Sequence, residues 1–178
     1  MKFFIITMFV STVSLIAFAN TDSPYSGQEN REIKSLSQHE ITGYLNGKGL
    51  GYAKAAELNQ FPGPRHVLDL ATELKLSDEQ VRQSETLFDD MKIQATTLGE
   101  QFVEKEHKLN AFFANNAIDA NKLEVLLADL GTLEAKIRFV HLNAHLEQKA
   151  LLTNQQVKRY DQLRGYNGHN QHEHKHTH

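Results

Sequence analysis

The sequence predicts an all-α protein built around a long antiparallel helical hairpin with shorter flanking helices. Apolar residues recur at steps of three and four over two long stretches, which is the spacing of amphipathic helices. All three prolines (Pro24, Pro62 and Pro64) precede these stretches, so nothing after residue 64 breaks a helix strongly. No alternating run of Val, Ile and Thr indicates a strand. A short polar turn at residues 115–116 would make the two long helices antiparallel neighbours.

The first 19 residues fit a cleavable export signal. Met1 and Lys2 form a short basic start, residues 3–18 are an apolar run, and Ala17-Phe18-Ala19 fits the small-x-small rule for cleavage. The alternative is an uncleaved membrane anchor, but the run is short for a bilayer span and no stop-transfer pattern follows it. We therefore expect an exported protein that keeps no stable membrane anchor.

Residues 20–60 are predicted to form a polar leader followed by a short helix. Residues 20–37 are polar and indicate a flexible segment, whereas residues 52–58 have a helical pattern. Between them lie Gly47, Gly49 and Gly51. These glycines favour a plain turn over a phosphate loop, because no strand precedes them and the Lys-Ser/Thr ending is missing.

Composition excludes several classes of function. The net charge is −3 and there is no basic patch, which argues against a nucleic-acid partner. The chain has no cysteine, so it has no disulfide, no lipoprotein anchor and no thiol nucleophile. No serine lies in a Gly-x-Ser-x-Gly motif. We therefore do not expect an enzyme.

Residues 61–164 are predicted to be the helical domain. Pro64 is suited to the first turn of a short helix over residues 64–74. The same motif then appears twice, at the start of the hairpin and just after it: Leu76-Ser77-Asp78-Glu79-Gln80 and Leu152-Thr153-Asn154-Gln155-Gln156. In each copy the Ser or Thr is an expected N-cap and the Gln three residues later completes a capping box. Asp119 is the expected N-cap of the return helix.

Two features suggest how the hairpin packs. Gly99 and Gly131 fall at nearly the same level, which predicts either a shared bend or straight helices in close contact. Phe139, Leu142 and Leu146 form an apolar stripe away from the hairpin seam. This stripe needs a covering element, which could be the 64–74 helix, the C-terminal helix or a second subunit. Because a hairpin alone cannot bury both stripes, we predict a homodimer.

A histidine pair on the return helix is the best candidate for chemistry. His141 and His145 are four residues apart, so they point the same way and could share an ion. Leu142 stands where the HExxH motif needs Glu, so the general base of metalloproteases is missing. His66 opens the short helix at the same end of the hairpin, and Asp69 follows one turn later.

The candidate metal site therefore comprises His66, Asp69, His141 and His145. Nitrogen and oxygen ligands of this kind suit zinc, copper, nickel or cobalt. In the alternative interpretation the helical histidines bind no metal and are partly buried residues hydrogen-bonded to Asp69, Glu85 or Asp89.

The C-terminal residues 165–178 are predicted to be a disordered tail. Five histidines alternate there with polar residues: His169, His172, His174, His176 and His178. Such a tract can chelate divalent metal ions as a flexible ligand. The alternative is an inert polar terminus.

The export signal, the hairpin and the two Leu-Ser/Thr-x-x-Gln motifs together resemble the Spy/CpxP family of periplasmic chaperone and stress proteins of Gram-negative bacteria. The resemblance covers residues 61–164 and rests on Leu76, Ser77 and Gln80 and on Leu152, Thr153 and Gln156. It implies a periplasmic location and a cradle-like antiparallel dimer that holds unfolded or stress-damaged proteins without ATP. Related ZraP and CnrX proteins act in heavy-metal resistance and sensing.

Two functions remain open from the sequence. In the first, the protein responds to heavy metals, binds divalent ions and protects envelope proteins as a chaperone. In the second, it is a general periplasmic refolding chaperone and its histidines are incidental. Metal titration and an aggregation assay distinguish the two.

Overall fold

The structure, a computed structural model, describes residues 23–166. Residues 23–30 belong to a separate small unit that contains one 3-10 helix, Gln28–Asn30. The main unit begins at residue 31, and its described part ends at residue 166. The predicted export signal and the five tail histidines lie outside the described residues.

The main unit consists of six α-helices, and no strand occurs among residues 23–166. The helices are α1 (Gln38–Leu45), α2 (Lys54–Glu57), α3 (Pro64–Asp69), α4 (Asp78–Ala114), α5 (Ala120–Leu151) and α6 (Asn154–Leu163). The all-α class and the long helix pair are thus confirmed. Across the same residues, no helix has both the length and the apolar character needed to cross a bilayer.

Side-chain contacts align α4 with α5 along their length. The amide of Gln148 donates to the hydroxyl of Ser84 at 3.0 Å, near the beginning of α4 and the end of α5. Nearer the turn, the ammonium of Lys105 lies 2.6 Å from the carboxylate of Asp129. The beginning of α4 therefore lies beside the end of α5.

The predicted helix starts are confirmed by their hydrogen bonds. The hydroxyl of Ser77 accepts from the backbone N–H of Gln80 at 3.2 Å, and the Gln80 amide oxygen accepts from the N–H of Ser77 at 3.0 Å. Thr153 and Gln156 repeat this geometry at 3.2 and 2.9 Å. Asp119 accepts from the N–H of Lys122 at 2.9 Å. These bonds satisfy donors that the first turn of a helix leaves unpaired.

The two motifs also bind each other. The amides of Gln80 and Gln156 exchange hydrogen bonds at 2.9 and 3.0 Å. Gln80 further donates to the carbonyl of Leu151 at 2.7 Å, and Gln156 donates to that of Leu74 at 3.3 Å. Each glutamine thus caps its own helix and also hydrogen-bonds the backbone segment that leads into the other helix. The repeated motif forms one joint between the starts of α4 and α6.

The leucines of the motifs complete a small core beneath this joint. Leu76 and Leu152 pack against a cluster whose buried members are Val67, Leu74 and Tyr160. This cluster fixes α3 and α6 against the end of the long helix pair. The leucine, the Ser or Thr and the glutamine of each motif therefore have a structural role in this chain.

The larger core lies halfway along the helix pair, and the segment before α1 contributes to it. Ile33 is 3% exposed and Leu36 is 7% exposed, and both pack with Tyr44 of α1 and Phe102 of α4. The expectation that residues 20–37 form a flexible leader is therefore wrong for residues 33 and 36. Two isolated apolar residues before a short helix produce no periodic signal, and α1 itself was not predicted.

The two mid-helix glycines have different environments. A Cβ added at Gly99 would lie 2.8 Å from the carbonyl carbon of Tyr44, whereas a Cβ at Gly131 would meet nothing within 4 Å. The close approach therefore joins α4 to α1, and the glycines do not mark a contact between α4 and α5.

We expect opposite effects from alanine at these two positions. Gly99→Ala should lower the free energy of unfolding by about 2 kcal/mol, because the new methyl group would push apart the α1 and α4 backbones. Gly131→Ala should raise it by about 1 kcal/mol, because the methyl group enters open space and alanine favours helix. Urea denaturation of both variants measures the difference. Equal effects would show that α1 does not pack as described.

Candidate functional site

Three of the four predicted metal-site residues line one cavity. The cavity has a volume of about 560 Å³ and lies between the 46–53 loop, α3, α4 and α5. His66 reaches it from α3, and His141 and His145 reach it from α5. Met91 and Glu57 also line it. The structure therefore brings together histidines that are 75 positions apart in the sequence, as their helical placement predicted.

His141 is a buried, neutral histidine. It is 3% exposed, and its Nε2 atom has no hydrogen-bond partner. Burial, together with the nearby His145, lowers the pKa of His141 from 6.5 to about 4. The ring is therefore uncharged at neutral pH and keeps a nitrogen lone pair, as a metal ligand must.

His145 is oriented by a backbone carbonyl. Its Nδ1 lies 2.7 Å from the carbonyl oxygen of Phe61, which can only accept, so Nδ1 carries the hydrogen. In the neutral ring the lone pair is then on Nε2. A Cβ at residue 63 would lie 2.8 Å from this Nε2, so Gly63 leaves the space that the ring occupies. A hydrogen bond of this kind is typical of histidines that bind metal through the other nitrogen.

Glu57 is the acidic residue of the cavity, and the sequence interpretation missed it. Its Oε1 accepts hydrogen bonds from the hydroxyls of Tyr160 at 2.5 Å and Tyr166 at 2.8 Å. Its Oε2 is buried without a hydrogen-bond partner and lies 3.7 Å from Nδ1 of His145. Burial and the Glu57 carboxylate raise the pKa of Tyr160, which keeps its hydroxyl protonated as a donor. One oxygen of Glu57 thus anchors α6, and the other remains free beside the histidines.

His66 and Asp69 are less closely tied to the site. The His66 side chain is 44% exposed, and its Nδ1 lies 3.8 Å from a carboxylate oxygen of Asp69. Asp69 itself pairs with Arg65 at 3.1 Å and is not among the residues that line the cavity. The predicted hydrogen-bond acceptors Glu85 and Asp89 contact neither helical histidine through any hydrogen bond of the described chain. The structure therefore replaces Asp69 by Glu57 as the carboxylate nearest to the histidine pair.

In the arrangement of residues 23–166, no three His, Asp or Glu side chains are close enough together to hold a metal ion. The imidazole and carboxylate donors that line the cavity are His66, His141, His145 and Glu57. Of these, His66 is the most exposed, at 44% of its side chain. Neutral imidazoles and one carboxylate suit borderline divalent ions such as zinc.

A second concave surface lies on the helix pair. This groove has a volume of about 620 Å³ between α4 and α5. Its apolar part includes Leu87, Met91, Phe139, Val140 and Leu151, and its charged rim includes Glu79, Arg82, Asp90 and Glu147. Met91 borders both the groove and the histidine cavity.

The chain matches no protein-family model, no curated protein and no solved structure.

Proposed function

We propose that this protein is a periplasmic, metal-responsive stress protein of the Spy/CpxP type. It binds divalent heavy-metal ions in the histidine cavity and protects envelope proteins by chaperone action without ATP. One observation carries the metal part of the proposal: the imidazoles of His141 and His145 on α5, the carboxylate of Glu57 on α2 and the imidazole of His66 on α3 line one cavity, and one Glu57 oxygen is buried there without a hydrogen-bond partner.

The chemistry of the donors supports a divalent ion. His141 needs no deprotonation at neutral pH, since its pKa is about 4. His145 is already held with Nδ1 toward the carbonyl of Phe61. The unpaired Oε2 of Glu57 supplies negative charge 3.7 Å from Nδ1 of His145. Binding an ion would satisfy polar atoms that are buried without a partner, which is otherwise unfavourable.

Zinc titration by calorimetry tests this proposal. We expect the chain that ends at residue 166 to bind one zinc ion, and His141→Leu or His145→Leu to weaken binding at least about 10-fold. His107→Ala is the matched control, because His107 is an exposed helical histidine on α4, and it should leave zinc binding unchanged. The full-length chain is expected to bind additional ions through its tail histidines. If the shorter chain binds no zinc, the cavity is not a metal site.

The chaperone part of the proposal follows from the family resemblance and from the groove between α4 and α5. Apolar side chains on an open surface can hold an unfolded segment of another protein. An aggregation assay with an unfolded client, with and without zinc, tests this part. A protein that leaves aggregation unchanged under both conditions is not a chaperone.

The second candidate function is a general refolding chaperone whose histidines are incidental. It is favoured by the hydrogen bond that already satisfies His145 and by the half-exposed position of His66. This function predicts full protection against aggregation in the His141→Leu variant and no effect of zinc.

A further inference from the structure

The histidine cavity is lined by a surplus of positive charge. Among residues 31–166, Glu57 is its one acidic lining residue, whereas four basic residues line it: Lys48, Lys54, Arg65 and Lys92. The chain as a whole has a net charge of −3, so this local surplus runs against its composition. Positive charge concentrated in a cavity attracts anions and raises their local concentration.

Three of the four basic side chains have no anionic partner. Within residues 23–166, the ammonium groups of Lys48, Lys54 and Lys92 form neither a hydrogen bond nor an ion pair. Arg65 differs, because it pairs with Asp69 at 3.1 Å. The three lysines are therefore free to bind an anion that enters the cavity.

The glycine-rich loop places lysine charge beside the histidine pair. A Cβ at Gly47 would lie 2.8 Å from the backbone oxygen of Lys92, so the loop packs directly on α4 there. A Cβ at Gly49 would lie 3.8 Å from Nδ1 of His141. Lys48 stands between these two glycines, on the segment that runs from Lys92 to the His141 ring. Lysines and imidazoles thus border the same space.

The size and lining of the cavity fit an organic molecule. Its volume of about 560 Å³ is far larger than a single ion needs and is typical of pockets that hold small molecules. Leu50, Phe88 and Met91 also line it. Apolar side chains of this kind suit a carbon skeleton better than an inorganic anion such as phosphate.

The metal function adds a second reason for an anion. A divalent ion at His141 and His145 brings two further positive charges into a cavity that already has a surplus, and like charges repel. Two imidazoles also leave coordination positions open for oxygen ligands. A molecule with several carboxylates can offer one to the ion and another to the lysines, with charge-assisted hydrogen bonds to the ammonium groups.

We propose that the cavity binds the divalent ion as a complex with a small organic acid that carries two or more carboxylates. One carboxylate binds the ion that His141 and His145 hold, and another pairs with Lys48 and Lys92. This joint site rests on the metal function proposed above, and it adds the chemical class of the molecule that accompanies the ion.

Equilibrium dialysis of radiolabelled citrate against the full-length chain tests the joint site, with citrate as the probe polycarboxylate. We expect saturating zinc to raise the affinity for citrate about 10-fold, which lies within the ordinary range of coupling between two ligands. His141→Leu should remove this effect of zinc. A chain with both Lys48→Gln and Lys92→Gln should bind citrate at least about 10-fold more weakly in zinc, because charge-assisted hydrogen bonds are lost.

Lys136→Gln is the matched control, because Lys136 is an exposed lysine of α5 that does not line the cavity. It should bind citrate as the wild type does. Zinc–citrate held by the tail histidines would be the same in every lysine variant, so the difference between variants reports the cavity.

Two outcomes would overturn the joint site. If the double lysine variant binds citrate as tightly as the wild type, the lysines do not hold the anion. If citrate binding depends on the lysines but not on zinc, the ion and the anion do not share one complex. Calorimetry with zinc alone judges the metal site separately, so zinc binding that citrate does not influence would leave that site standing.

Discussion

Lowering the pH from 7 to 4 is expected to remove about 3 kcal/mol of the stability of the metal-free protein through His141 alone. Burial holds the pKa of this histidine at about 4 in the folded protein, whereas the ordinary value is 6.5. The unfolded chain therefore binds a proton in this range more readily than the folded chain does. The stability that His141 contributes is fully present above pH 6.5 and is lost as the pH falls toward 4.

Comparison with a variant isolates this effect from the carboxylates, which also titrate at acidic pH. Urea denaturation at several pH values, with a chelator present, gives the free energy of unfolding as a function of pH for the wild type and for His141→Leu. The wild type should lose about 3 kcal/mol more than the variant between pH 7 and pH 4. His107→Ala, the exposed control, should follow the wild type. If His141→Leu has the same pH dependence as the wild type, the His141 ring is not buried in its neutral form.

Gln156→Ala is expected to lower the free energy of unfolding by about 3 kcal/mol. The substitution removes the bond to the N–H of Thr153, both bonds with Gln80 and the bond to the carbonyl of Leu74. Each partly buried hydrogen bond contributes about 1 kcal/mol. Gln155→Ala, at the exposed neighbouring position, should change stability by less than about 0.5 kcal/mol.

A double-mutant cycle with Gln80→Ala identifies the joint between the two motifs. Because the two amides bond to each other, the double variant should be about 1–2 kcal/mol more stable than the sum of the single effects predicts. Additive effects would mean that each glutamine only caps its own helix and that the motifs are independent.

The helices were predictable because their signals are local. Ser77, Thr153 and Asp119 each mark a helix start by a side chain that bonds three residues along the chain, and periodic apolar residues identify the body of each long helix. The bonds between Gln80 and Gln156 were not predictable in this way. They depend on the tertiary fold, which brings the two helix starts together.

The histidine cavity was predictable only in part. The helical spacing of His141 and His145, and the return of α3 to the same end of the long helices, indicated which histidines meet. The carboxylate was assigned to Asp69, but Arg65 on the preceding turn of α3 binds Asp69. Glu57 lies on a helix of four residues that falls within the predicted helical run 52–58, but a run this short does not show which of its side chains faces the histidines.

The orientation of His145 had no sequence signal at all. Its partner is the backbone carbonyl of Phe61, and any residue type could supply that oxygen. Similarly, burial of Ile33 and Leu36 depends on where α1 packs, which is set by the space that Gly99 leaves beside Tyr44. Such contacts are determined by backbone placement and not by side-chain type.

The metal proposal is tested most directly by anomalous X-ray diffraction from crystals of the zinc-loaded protein. We expect a zinc peak in the cavity within bonding distance, about 2.1 Å, of ring nitrogens of both His141 and His145, with a carboxylate oxygen of Glu57 beside it. A cavity without a zinc peak, in crystals that contain zinc at the C-terminal histidines or elsewhere, would contradict the proposed metal site.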